Sequence, residues 1–219
     1  MERIYEYRFA LFLSTQLAIL FGSLLVPLAV FETIISPILL LLNVLSGVLL
    51  VSKNRKILIG ASILLFVILV IGILEFSKAA FFSMEVNILK MLSYFIFYVL
   101  ITFYLIKQIW IAVNVNRSVI LGLISGYISL GILGFFVCLS IEIGSPGSFD
   151  GLSVVTSALT DEMIYYSFIT LFTIGYGDIV PVSILAQKAS ILIGVLGQVY
   201  LVIITAIVVG KYLNQHTHK

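Results

Sequence analysis

The chain has 219 residues, of which 62% are hydrophobic and only 10% charged, with a mean hydropathy of +1.25. Soluble domains carry about 25% charged residues, so a water-facing fold is excluded. The net charge of +2 identifies no charged partner, because twelve bases and ten acids are sorted along the chain rather than pooled in a patch.

The first uncharged run is residues 9–31, 23 residues long. Arg3 and Arg8 precede it, as in a signal peptide, but it is too long for a signal core and no small-residue cleavage site closes it; a retained first span is expected. Runs of 20 residues (33–52) and 18 residues (57–74) follow, and then 86–106, interrupted only by Lys90 near one end. Residues 118–141 and 189–210 add runs of 24 and 22. Crossing a bilayer takes about 20 apolar residues, with a range of about 17–25. The expected fold is therefore an all-α membrane protein with six transmembrane helices.

With both termini in the cytoplasm, nine bases face inward: Arg3, Arg8, Lys53, Arg55, Lys56, Lys107, Arg117, Lys211 and Lys219. Only Lys78, Lys90 and Lys188 face outward, which satisfies the positive-inside rule. Eight of the ten acids then lie outside: Glu32, Glu75, Glu85, Glu142, Asp150, Asp161, Glu162 and Asp178. The expected location is the plasma membrane, or the inner membrane of a bacterium.

A polar link at residues 114–117 divides the chain into a four-span module, residues 1–116, and a second domain, residues 117–219. The second domain contains a long outer segment, residues 142–182, which opens with the turn-rich stretch Gly144-Ser145-Pro146-Gly147-Ser148-Phe149-Asp150-Gly151. It becomes apolar again over residues 163–172, about ten residues, too short to cross and suited to a re-entrant helix. Thr160 followed by Asp161 and Glu162 supplies an N-cap with acids in the first turn.

Directly after that short helix come Thr173, Ile174, Gly175, Tyr176, Gly177 and Asp178. Non-helical backbone at membrane depth is tolerated only where it is buried in protein or lines a cavity. Pointing successive carbonyls the same way requires alternate residues to take dihedrals that a Cβ disfavours, and glycine takes them readily. Ile174 and Tyr176 can then pack outward as struts. The result is a ladder of oxygens from Thr173, Ile174, Gly175 and Tyr176, plus the Thr173 hydroxyl. Four such ladders around an axis replace the water shell of a monovalent cation, and the negative C-terminal end of the short helix favours a cation there.

The run Thr-Ile-Gly-Tyr-Gly-Asp resembles the selectivity-filter signature of potassium channels. The order of span, short helix, filter and span resembles their pore domain, over residues 116–213. The resemblance implies that Thr173 to Tyr176 are the potassium ligands, that Gly177 is the outer end of the filter, and that Asp178 is braced by an aromatic residue of the pore helix. Tyr165 and Tyr166 stand where many relatives have tryptophan. Phe172 replaces a second threonine, and Ile169 stands where some relatives bury an acid. In the last span Gly197 matches the inner-helix hinge glycine, with Gly194 three residues earlier; close packing through small residues is an equal alternative.

Resembling six-span channels commonly carry a voltage sensor, with bases at three-residue spacing in the fourth span. Here that span has Lys90 and nothing more until Lys107, so the first four spans are expected to be a scaffold or another regulatory module. Cys138 lies inside an uncharged run and is expected to be inert packing. His216 and His218 lie in the polar tail, without metal-ligand spacing. The Lys53-Asn54-Arg55-Lys56 cluster fits a topology signal or anionic lipid. The tail after Gly210 is too short for a soluble regulatory domain.

The expected function is a homotetrameric potassium channel that is not steeply voltage-gated, with potassium ions and the lipid bilayer as partners. No cofactor, nucleic acid or enzymatic constellation is indicated. The rivals are a weakly selective cation channel on the same scaffold, and a transporter or membrane scaffold with a vestigial filter.

Overall fold

The computed structural model describes residues 5–27, 30–76, 84–153 and 159–217. Arg3, Lys78, His218 and Lys219 lie outside the described residues, as do the side chains of Glu32, Glu75, Glu85 and His216. The chain forms two compact units, Met1–Gly126 and Tyr127–Lys219, whose boundary falls inside a helix ten residues beyond the polar link.

In the first unit, α1 (Arg8–Phe21) gives way to a 3₁₀ turn at Gly22–Leu24. The uncharged run 9–31 is thus not one continuous helix. Pro27 accounts for the break, since it has no N–H and disfavours helix in the residue before it. Its carbonyl accepts from the amides of Val30 and Phe31, each at 3.0 Å, and helix resumes from there. A π-helical turn at Phe31–Ile35 leads into α2 (Ser36–Val51), with Pro37 in the first turn. Then come α3 (Arg55–Phe76) and α4 (Met84–Ile111). Asn54 precedes α3, and its side-chain oxygen accepts from the Ile57 amide at 3.4 Å.

Helix α2 packs against α1, α3 and α4. Gly47 permits the last of these contacts, because a Cβ there would stand 2.7 Å from the Phe97 ring. Asn43 is fully buried; it donates to Thr15 Oγ1 at 2.8 Å and accepts from the Tyr98 hydroxyl at 2.6 Å. Gln16, also fully buried, accepts from Ser125 Oγ at 2.6 Å. Lipid tails are as apolar as the helices, so such bonds fix which faces meet where burial alone does not.

Helix α5 (Arg117–Gly144) runs into the second unit. There follow a two-residue strand β1 (Phe149–Asp150), helix α6 (Leu159–Leu171), strand β2 (Val180–Pro181) and helix α7 (Ile184–Val199). A second π-helical turn, Tyr200–Ile204, joins α7 to α8 (Thr205–Thr217). The strands pair antiparallel, Phe149 opposite Pro181 and Asp150 opposite Val180. Among the described residues, four helical segments are long and apolar enough to cross a membrane: Arg55–Leu74, Ile88–Ile111, Arg117–Gly144 and Ile184–Gln215. Arg8–Leu24 and Ser36–Val51 are shorter apolar helices.

Candidate functional site

Helix α6 is seated by small residues on its neighbours. Ser167 Oγ donates to the Gly131 carbonyl at 2.7 Å. A Cβ at Gly131 would strike the Phe168 ring, and one at Gly134 would strike Ser167 Oγ. From α7, a Cβ at Gly197 would stand 2.7 Å from the Leu171 carbonyl oxygen. Gly197 is therefore a close-packing residue, whereas Gly194 has none of the described residues within 4 Å of its Cβ position. The π-helical turn begins three residues after Gly197, so α-helical regularity ends near the point where α7 touches α6.

The chain then turns sharply. Phe172 N donates to Phe168 O at 2.9 Å, Thr173 N to Thr170 O at 3.1 Å and Ile174 N to Ile169 O at 2.9 Å. Gly175 N also reaches Ile169 O, at 3.4 Å. These bonds satisfy carbonyls that the end of a helix leaves without partners. They also orient the turn: a trans peptide holds N–H and C=O antiparallel. With the amides of Thr173, Ile174 and Gly175 aimed back at α6, the carbonyls of Phe172, Thr173 and Ile174 are aimed away from it.

The dihedrals continue the pattern. Thr173, Gly175 and Gly177 have φ of 58°, 58° and 81°, alternating with Ile174 and Tyr176, which are not left-handed. Among the described residues of the chain nothing lies within 4 Å of a Cβ built on Gly175 or Gly177, so within the chain glycine is required there by conformation rather than by space. Thr173 is the one non-glycine residue with positive φ among those described. A left-handed non-glycine residue costs about 1–3 kcal/mol, and the hydrogen bond from the Thr173 amide to the Thr170 carbonyl helps hold it. Residue type alone assigns the special dihedral to the two glycines; the alternating register 173, 175, 177 is the signal that extends it to Thr173. Ile174 and Tyr176 are 49% and 72% exposed within the single chain, so the described residues leave about half or more of each side chain uncovered.

The two tyrosines of α6 have different partners. The Tyr165 hydroxyl donates to Asp178 Oδ2 at 2.6 Å. That hydrogen bond holds the Asp178 carboxyl below its ordinary range and, from the other side, pushes the Tyr165 phenol up to about 12. Tyr166 does not brace Asp178; its hydroxyl shares a hydrogen bond of 2.5 Å with Ser190 Oγ on α7. Neighbouring residues project about 100° apart around a helix of 3.6 residues per turn, so only one of the pair faces the turn.

A second support comes from the loop before α6. Gly151, at φ 89°, lies so close to the Asp178 carbonyl that a Cβ would collide with it. The Ser148 carbonyl accepts from Val182 N at 2.9 Å and Ser183 N at 3.2 Å. Glu142, expected only as one of the outer acids, is buried at the end of α5. Its two oxygens accept from Gly147 N at 2.7 Å and Phe149 N at 3.1 Å, holding the loop in shape. Glu162 likewise accepts from Ser153 N, at 3.1 and 3.2 Å. Neither role has a sequence signature, since each depends on where a loop folds back.

Phe172 belongs to an aromatic group at the C-terminal end of α6. Its ring centre lies 5.5 Å from Tyr127 and 5.6 Å from Phe168, and Tyr127 stacks on Tyr200 at 5.6 Å. The Tyr127 hydroxyl donates to the Leu171 carbonyl at 3.2 Å. Among the described residues no three His, Cys, Asp or Glu converge as for a metal ion. The oxygens gathered at the turn come from the backbone, a donor set suited to a weakly held monovalent cation.

No curated protein and no solved structure matches the chain. Residues 148–214, about a third of it, match a family model described as an ion channel. That segment takes in both strands, α6, the alternating turn and α7, and it supports ion channel activity.

Proposed function

We infer that the chain is one subunit of a homotetrameric potassium-selective channel, with Thr173, Ile174, Gly175 and Tyr176 supplying the ion ligands and Gly177 closing the filter. The observation that carries this is the alternation of left-handed residues at 173, 175 and 177, together with amides turned back onto α6. It leaves carbonyls on the opposite side, where they can replace an ion's hydration shell. A single strand makes one wall of such a site, so four copies are required around an axis. The exposed side chains of Ile174 and Tyr176 are then covered by the neighbouring subunit.

Six spans fit this reading although two apolar helices are short. The π-helical turn and α2 together give continuous helix over residues 31–51, and α1 extends through its 3₁₀ turn to Leu24. The sorting of Lys and Arg supports an orientation with both termini in the cytoplasm and β1, α6 and β2 at the outer face. Helix α4 carries Lys90 and Lys107 without a ladder of bases between them, which supports a channel that is not steeply voltage-gated.

A weakly selective cation channel is the second reading, favoured by the brace: Asp178 is held by Tyr165 at an exposed site, with apolar Ile169 deeper in α6. Reversal potentials of the purified protein in liposomes, under opposed potassium and sodium gradients, separate the two. A potential near the potassium equilibrium value supports selectivity; one near zero supports the second reading, and absence of cation flux overturns both.

A further inference from the structure

Three bases, Arg8, Lys53 and Lys107, gather at one end of the first unit. Arg8, half-buried at the start of α1, and Lys107, exposed near the end of α4, line one cavity of about 450 Å³ with Asn54, Tyr104, Gln108, Ile111 and Ala112. No acid is among these residues; Glu6 lines a neighbouring cavity that shares Arg8. Lys53 is close at hand. Its Nζ lies 4.4 Å from the centre of the Tyr5 ring, and the Arg8 guanidinium lies 4.1 Å from the same ring centre. Gathering like charges is unfavourable unless an anion offsets it.

The guanidinium is also positioned in advance. Arg8 Nε donates to Gln108 Oε1 at 3.2 Å, and one terminal nitrogen donates to the Tyr5 carbonyl at 3.0 Å. Gln108 is itself fixed through its amide to the Leu50 carbonyl at 3.0 Å. A guanidinium has five N–H donors, so its contacts with described residues leave three. A planar fork of this kind matches the paired oxygens of a phosphate, with lysine adding a point charge. The level in the membrane agrees. Arg8 and Lys107 each bound an uncharged run, and exposed Tyr7 and Trp110 lie beside them in sequence, as aromatic residues do at the membrane–water boundary.

We propose that this cavity is a binding site for an anionic phosphate group, held by Arg8 and Lys107, supplied either by a phospholipid headgroup at the same level or by a soluble phosphorylated solute. The test uses the full chain in detergent micelles. Retention of phosphatidic acid and of phosphatidylcholine is counted by native mass spectrometry, and inorganic phosphate binding is followed by equilibrium dialysis. A base near an anionic surface contributes about fivefold to affinity, so Lys107→Gln should lower phosphatidic acid retention about that much, while phosphatidylcholine stays unaffected. Lys188→Gln removes an exposed base that does not line the cavity and should change little. If inorganic phosphate binds with the same Lys107 dependence and the lipid is not selected, the site stands with a soluble occupant. If neither phosphatidic acid nor phosphate responds to Lys107→Gln, or if Lys188→Gln has the same effect, the proposal is overturned. None of these readouts involves ion flux, so failure of the pore assignment would leave them interpretable.

Discussion

Tyr165 and Asp178 are thirteen residues apart and joined by a 2.6 Å hydrogen bond, which ties the middle of α6 to the far end of the alternating turn. The bond favours the charged form of Asp178 and the neutral form of Tyr165. A depressed carboxylate stabilises the fold above its unfolded value, about 3.9, and that contribution is lost as pH falls through the depressed folded value. A raised phenol contributes below its unfolded value, about 10, and is lost as pH rises through about 12. Conduction should therefore be flat across the neutral range and fail only in strong acid. Tyr165→Phe should move the acid failure upward toward pH 4, as read from potassium flux against external pH. An unchanged profile would separate the bond from filter stability.

Gly177→Ala should abolish potassium conduction or potassium preference. The substitution meets no neighbour within its chain, so its effect is conformational: a left-handed alanine costs about 1–2 kcal/mol and reorients the flanking peptides. Flux and reversal potential in liposomes measure it directly. A variant that conducts like the parent, with the same preference, would remove the basis of the filter assignment.

Gly197 and Gly194 should behave differently. Gly197→Ala forces a methyl group toward the Leu171 carbonyl, and overpacking of this kind costs about 1–3 kcal/mol, visible as a lower midpoint in thermal unfolding of the purified protein. Gly194→Ala has open space and sits in a helix, where alanine is favoured by up to about 1 kcal/mol, so its midpoint should hold or rise. Equal changes in gating with no change in stability would instead favour a hinge spanning both glycines.

The acids at the start of α6 divide by role. Asp161 is exposed, whereas Glu162 is committed to the Ser153 amide. Asp161→Asn should lower inward single-channel current at low potassium, with the deficit shrinking as salt is raised, because exposed charges are screened beyond about 10 Å at 0.1 M. Glu162→Gln should produce a deficit that persists in molar salt, since it loosens the loop. The reverse pattern would exchange the two roles.

What could be read in the sequence is what the backbone dictates locally. Uncharged runs become helices because every peptide group must find its partner within the segment, and Gly175 and Gly177 announce a left-handed conformation by type. What could not be read depends on rotation about a helix axis or on a loop's return path. The choice of Tyr165 over Tyr166, the inward turn of Glu142, and the contact that makes Gly197 differ from Gly194 all belong to that second kind. Pro27 is intermediate: its breaking effect is intrinsic, yet run length alone passed over it.

The glycine seats of α6 bear on the order in which the chain enters the membrane. Thirteen helical residues measure about 20 Å at 1.5 Å per residue, short of the roughly 30 Å hydrocarbon layer, so α6 has no stable resting place in lipid by itself. Gly131 and Gly134 belong to the span before it, but Gly197 belongs to the span made after it. During synthesis, then, α6 emerges with only half of its socket in existence. In the proposed topology it waits at the outer surface until α7 has crossed, and the ion pathway is the last part of the subunit to take shape.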